Sequence, residues 1–124
     1  MRRHKFGAVA TTVDGIRFDS KAEARRFQEL KLLEKAGEIR NLTRQPSFML
    51  MAPVYKEGTA CENINQGVFE RVSPLGEYRA DFSYEDKRRG WRRVVEDVKG
   101  VRTPMFIWKK RHVERQYGIE IHEV

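Results

Sequence analysis

Apolar residues recur at three- and four-residue spacing between Ser20 and Ala36, placing Ala24, Phe27, Leu30 and Leu33 on one side of a helix. The pattern predicts a helix over this stretch, entered at Ser20 and stopped by Gly37. Farther on, the period changes to two. Tyr78, Ala80, Phe82 and Tyr84 alternate with Arg79, Asp81 and Ser83, which predicts a strand over residues 77–84. A second alternating strand follows over 91–99, and the short charged turn between them makes the two antiparallel neighbours. Thr103 as a cap and Pro104 at the first helical position predict a helix to about Tyr117, ended by Gly118 and followed by a last strand over 119–124.

The first half of the chain beyond its helix is less regular. Residues 42–51 read as a strand that begins near Pro46, and Val13-Asp14-Gly15-Ile16 reads as a turn or short hairpin. Residues 52–76, with Pro53, Gly58, Asn63, Asn65, Gly67, Pro74 and Gly76, read as a long turn-rich connection holding at most a short strand over 68–72. Residues 1–12 are expected to form a basic, poorly ordered arm and residues 13–124 one domain. The predicted order is α-β-β-β-α-β, an α/β fold.

Charge sharpens this picture. Lys and Arg number 25 against 18 Asp and Glu, a formal net charge of +7, which is the electrostatic footprint of a nucleic-acid binder as well as of a solubilising surface. No apolar run reaches the roughly 18 to 20 residues a membrane helix needs and no export signal is visible, so a soluble cytoplasmic protein is expected, without a membrane partner. Cys61 is the single cysteine and His4, His112 and His122 show no close zinc-ligand spacing, which argues against zinc and against an intramolecular disulfide.

Three acids and a lysine stand out against the apolar pattern. In Val94-Val95-Glu96-Asp97-Val98-Lys99-Gly100, residues two apart share a strand face, so Asp97 and Lys99 point one way and Glu96 the other. Asp81 lies in the facing strand between apolar residues, where an aspartate is disfavoured without a cationic partner. Carboxylates from adjacent strands suit a hard cation that keeps several waters, although Asp97 and Lys99 also fit a surface ion pair. Glu23 shares a helix face with Phe27 and Leu30, and Ser20-Lys21-Ala22-Glu23 equally fits a capping box. A β-bulge would exchange Asp97 for Glu96 as the ligand.

In this order, Phe18-Asp19-Ser20-Lys21-Ala22-Glu23-Ala24, Gln45-Pro46, Ala80-Asp81-Phe82 and Glu96-Asp97-Val98-Lys99-Gly100 resemble the PD-(D/E)XK nuclease superfamily. The chain is more closely similar, from about residue 13 to 124, to small phage-encoded nuclease-like proteins of uncharacterised function. Ala80 stands where the superfamily usually has proline. The resemblance implies a restriction-endonuclease-like core, a mixed β-sheet flanked by helices. It also implies metal binding by Asp81 and Asp97, a catalytic role for Lys99, a further carboxylate from Glu23, and Mg²⁺ as cofactor, with Mn²⁺ substituting. Gln45 lies where related nucleases place a polar residue near the site.

Metal-dependent hydrolysis of DNA phosphodiester bonds is therefore the leading expectation, and its most specific form is a homodimeric Holliday junction resolvase acting on branched DNA. If the protein is phage-encoded, its compartment is the host cytoplasm. Duplex cutting or nicking in phage DNA metabolism, RNA cleavage, and non-catalytic nucleic-acid binding are the alternatives. Arg17, Gln45, Lys109, Lys110 and Arg111 are the candidate nucleic-acid contacts, the last three on a cationic helix face that also fits simple solvation. Val54, Tyr55, Val68 and Phe69 are candidates for the dimer interface.

Overall fold

The computed structural model describes residues 10–59 and 67–124. The poorly ordered arm expected at the N-terminus lies largely outside the described residues. Thr11 and Thr12, at its end, already belong to β1 (Thr11–Val13), which pairs antiparallel with β2 (Ile16–Phe18) around Asp14-Gly15. Both turn residues have positive φ, the conformation that makes Asp-Gly a hairpin turn.

The first helix, α1 (Lys21–Lys35), starts where the sequence pattern places it. The Ser20 hydroxyl accepts the Glu23 amide at 3.1 Å, and the chain leaves the helix through Gly37 at φ 77°. Ala24, Phe27 and Leu30 are buried, whereas Leu33 remains 36% exposed. The second helix, α2 (Pro104–Tyr117), is capped by the Thr103 hydroxyl and ended by Gly118 at φ 64°.

Between and after the helices run β3 (Ile39–Arg44), β4 (Ser47–Tyr55), β5 (Phe69–Arg79), β6 (Phe82–Asp86), β7 (Arg92–Asp97) and β8 (Ile121–Glu123). The central sheet has the order β3-β6-β7-β8, antiparallel except for the parallel β7–β8 pair that α2 connects. With α1 ahead of it, this sheet follows the expected α-β-β-β-α-β order. The protein is thus a mixed α/β fold with a multi-stranded mixed sheet and two helices.

Three expectations need correction. The supposed strand over 42–51 is two strands broken at Gln45-Pro46, and the supposed long connection is mostly an antiparallel ribbon of β4 and β5. Strand 77–84 breaks likewise, at Ala80-Asp81. The breaks face each other: the Gln45 amide donates to the Asp81 carbonyl at 2.8 Å and the Ala80 amide to the Pro46 carbonyl at 3.0 Å. Sheet and ribbon are therefore one bent two-stranded path, with Gln45 at φ 50° in the bend.

The core divides by strand parity. Val94 packs with Phe18, Phe27, Leu30, Phe82 and Tyr84 on the α1 side, and Val95 packs with Phe48, Tyr78, Phe106, Val113 and Ile121 on the α2 side. Burying such side chains contributes about 1.5 to 3 kcal/mol each. Among the described residues no helix is long and apolar enough to cross a membrane.

Candidate active site

The break between β5 and β6 leaves Asp81 outside regular pairing, beside the end of β7. Its amide donates to the Glu96 carbonyl at 3.0 Å and its carboxylate accepts the Val98 amide at 2.6 Å, so both its backbone and its side chain are fixed to β7. Asp97, the last residue of β7, is buried on the α2 side and accepts a hydrogen bond from the Tyr78 hydroxyl. Lys99 lies beyond the strand. Its Nζ stands 3.0 Å from Asp97 Oδ1 and 4.4 Å from the centre of the Phe106 ring, an apolar wall that holds the ammonium against the carboxylate.

The neighbouring acid has a different surrounding. Glu96 faces α1, where Arg26 binds it in a fork, Nε to Oε1 at 2.8 Å and NH2 to Oε2 at 2.6 Å, and the Tyr84 hydroxyl also donates to it. Its charge is used inside the fold, and Arg26, with Glu96 as the main cause, is held even more firmly protonated than usual. The strand carries no bulge at this point: β6 and β7 pair in unbroken register from Phe82–Glu96 to Asp86–Arg92. Parity thus separates a structural Glu96 from an Asp97 that meets Asp81 and Lys99.

Burial, then the charges of Asp97 and Glu23, and then direct contact with the Asp97 carboxyl push Asp81 up to about 8, against the opposing pull of the Val98 amide. Glu23 is raised as well, first by burial and then by Asp19, with Asp97 adding to it and Arg44 opposing. Burial and the bond to Asp97 keep Tyr78 a protonated donor. The Ser20 hydroxyl caps the Glu23 amide, but the Glu23 carboxyl does not close the expected capping box: it accepts from the Asp19 backbone and stands within electrostatic reach of Asp81 and Asp97.

Crowded carboxylates of this kind favour a bound cation, which removes the repulsion that protonates Asp81. Among the described residues no three His, Cys, Asp or Glu side chains form a closed set of metal ligands. The donors present are two contacting aspartates with a third acid farther off, which fits a hard, water-keeping cation such as Mg²⁺ better than zinc.

The expected nucleic-acid contacts are more dispersed. Gln45 is exposed and touches the site through its backbone amide. Arg17 is exposed on β2. Lys109 donates to the Glu77 carbonyl at 3.2 Å, and Lys110 joins Arg102 on Glu123, holding that carboxyl below its usual range. Arg111 is exposed and lines, with Trp108, Arg115, Met51 and Pro53, a groove of about 400 Å³. His112 is a helix residue whose Nε2 lies 2.8 Å from the Met51 carbonyl. Tyr78 and Arg44 belong to the site and were not singled out by sequence. Arg44 had a signal, since it shares the inward parity of Leu42 on β3, where a cation is unexpected.

The model of one family, described as "Protein of unknown function (DUF1064)", matches residues 3–122. No curated protein and no solved structure matches the chain.

Proposed function

The chain belongs to the DUF1064 family, and we propose that it is a Mg²⁺-dependent DNA endonuclease with a restriction-endonuclease-like PD-(D/E)XK core, acting in the cytoplasm. The observation that carries this reading is the meeting of Asp81 and Asp97 at the sheet end, with Lys99 3.0 Å from Asp97. The α-β-β-β-α-β order of the sheet and its helices supports the same core.

A divalent cation bound there supplies a Lewis acid that polarises the phosphate and lowers the pKa of water. Asp81 and Asp97 would hold it, and Mn²⁺ would substitute. Tyr78 fixes the Asp97 carboxylate by donating to one of its oxygens, and Lys99 pairs with the other. The Lys99 ammonium orients the attacking water and stabilises the negative charge that develops on the phosphate oxygens. Glu23, within electrostatic reach of both aspartates, would add a further carboxylate to the site from the α1 side. Affinity comes from the +7 charge spread over many basic side chains. Acids lining a groove weaken a pure phosphate binder, so the cluster supports catalysis over non-catalytic binding.

The most specific form is a homodimer that resolves four-way junctions, because one chain offers one site and resolution needs two cuts. Phe69, Val72 and Leu75, exposed along β5, supply apolar surface for association, as does Val68 beside them. Val54 and Tyr55 are already half-buried in the ribbon and contribute less.

The test offers labelled junction, duplex, flap and single-stranded DNA, and RNA, with Mg²⁺ and then with chelator. The expected result is chelator-sensitive cleavage of DNA, with paired nicks in the junction. Cleavage of duplex alone would replace resolution by duplex nicking, and cleavage of no nucleic acid under any divalent cation would remove the nuclease reading.

A further inference from the structure

Arg44 ends β3 one residue before the bend, paired across the strand with Phe82, the residue after Asp81. Its guanidinium carbon lies 4.7 Å from the centre of the buried Phe18 ring, which leaves the planar face covered and the donor edge to other partners. Its Nε is buried and bonded to nothing, and among the described residues no hydrogen bond or ion pair takes up the rest of the group. Glu23 feels its charge without reaching ion-pair distance.

Leaving a buried donor unsatisfied costs about 1 to 3 kcal/mol, more for a charged group, so such a donor calls for an acceptor the free protein lacks. The contrast with Arg26 is direct. Both guanidiniums lie on the α1 side; Arg26 is consumed by Glu96 and Glu29, whereas Arg44 stands within electrostatic reach of Glu23 with its donors unspent. The missing acceptor is an anion presented next to the cluster, of planar or tetrahedral oxygen geometry that a guanidinium fork can grip.

We propose that Arg44 is a substrate-holding residue, whose guanidinium grips a non-bridging oxygen of the DNA backbone phosphate at the Glu23 side of the site. This rests on the nuclease reading. It makes the site two-sided, with Lys99 serving the phosphate from the α2 side and Arg44 from the α1 side. The carboxylates between them exclude free anions, so the site selects a phosphate delivered on a polyanion whose other charges are met elsewhere.

The test measures DNA binding by fluorescence anisotropy with Mg²⁺ across a salt series, in an Asp97→Asn background that does not cut, with and without Arg44→Gln. Arg44→Gln is expected to weaken binding about tenfold and to reduce the slope of log K against log salt by about 0.9, one phosphate contact. Arg44→Lys, which keeps the charge and loses the fork, is expected to fall between the two. Unchanged affinity and slope, with a lowered melting temperature that adding Glu23→Gln restores, would make Arg44 a counter-charge for Glu23 and overturn the proposal. Should Arg44→Gln not fold, Arg44→Lys decides, and binding like its parent overturns the proposal. Absence of DNA binding by the parent itself would overturn both this inference and the nuclease reading, whereas parent binding indifferent to Arg44 overturns this one alone.

Discussion

Asp81 sits where the fold is least comfortable, half-buried against Asp97 and near Glu23, and its carboxyl is raised from 3.8 to about 8. Between those values the folded protein keeps a proton that the unfolded chain has released, so without metal stability falls as pH rises through that window. The groups that set this response are Asp97 and Glu23, which raise the carboxyl, and the Val98 amide, which opposes them. Asp81→Asn is expected to remove the fall and to gain on the order of 2 kcal/mol at pH 9, less than full linkage because solvent reaches the half-buried group. Melting curves from pH 5 to 9 check this, and a parent protein that grows more stable over that range would contradict it. At this scale much of the cluster was legible in the chain. Lone acids in apolar strands and the two-residue spacing of Asp97 and Lys99 are visible as sequence. The pairing of Tyr78 with Asp97 was not, because Tyr78 reads as an ordinary core residue and its hydroxyl acquires meaning only through a partner 19 positions away.

At the scale of elements, strand β7 is wedged between the two helices, and its α1 face carries a part-buried ion pair that joins helix to sheet, Arg26 with Glu96. Arg26→Met leaves Glu96 buried without its cation and is expected to cost about 3 kcal/mol, most of it recovered when Glu96→Met is added. Urea unfolding of the two single variants and the double one measures this, and additive losses would show that the pair contributes no coupling. The helices were readable because caps, stops and a buried stripe coincide. The β4–β5 ribbon was not, for a physical reason: nearly all of β5 is exposed, so it has no inside face to impose alternation, and Pro53, Pro74 and Gly76 are tolerated where they would interrupt a central strand. Register shifts at Leu50–Met51 and Val54–Tyr55 blur its period further. The bend at Gln45-Pro46 and Ala80-Asp81 escaped notice likewise, since each half reads alone as an uninterrupted strand. That bend is what frees Asp81 from the ladder.

For the whole molecule, the +7 charge and the acidic cluster have separate consequences. Binding is expected to weaken steeply between low and physiological salt, through counterion release, while removal of Asp81, Asp97 or Lys99 leaves most of the affinity in place. A binding constant indifferent to salt would show the charge to be a solubilising surface only. Light scattering is expected to give twice the 14.6 kDa chain mass, and a monomer active on linear duplex would sink junction resolution while leaving the endonuclease intact. The most direct measurement compares Asp97→Asn with Glu96→Gln in a Mg²⁺-dependent DNA cleavage assay, since the two acids are adjacent, both buried and both replaced without change of shape. Asp97→Asn is expected to lose about 100-fold or more in rate, as a metal ligand does, and Glu96→Gln to stay within a few-fold of the parent with Tyr84 still bonded to it. Full activity in Asp97→Asn would contradict the account.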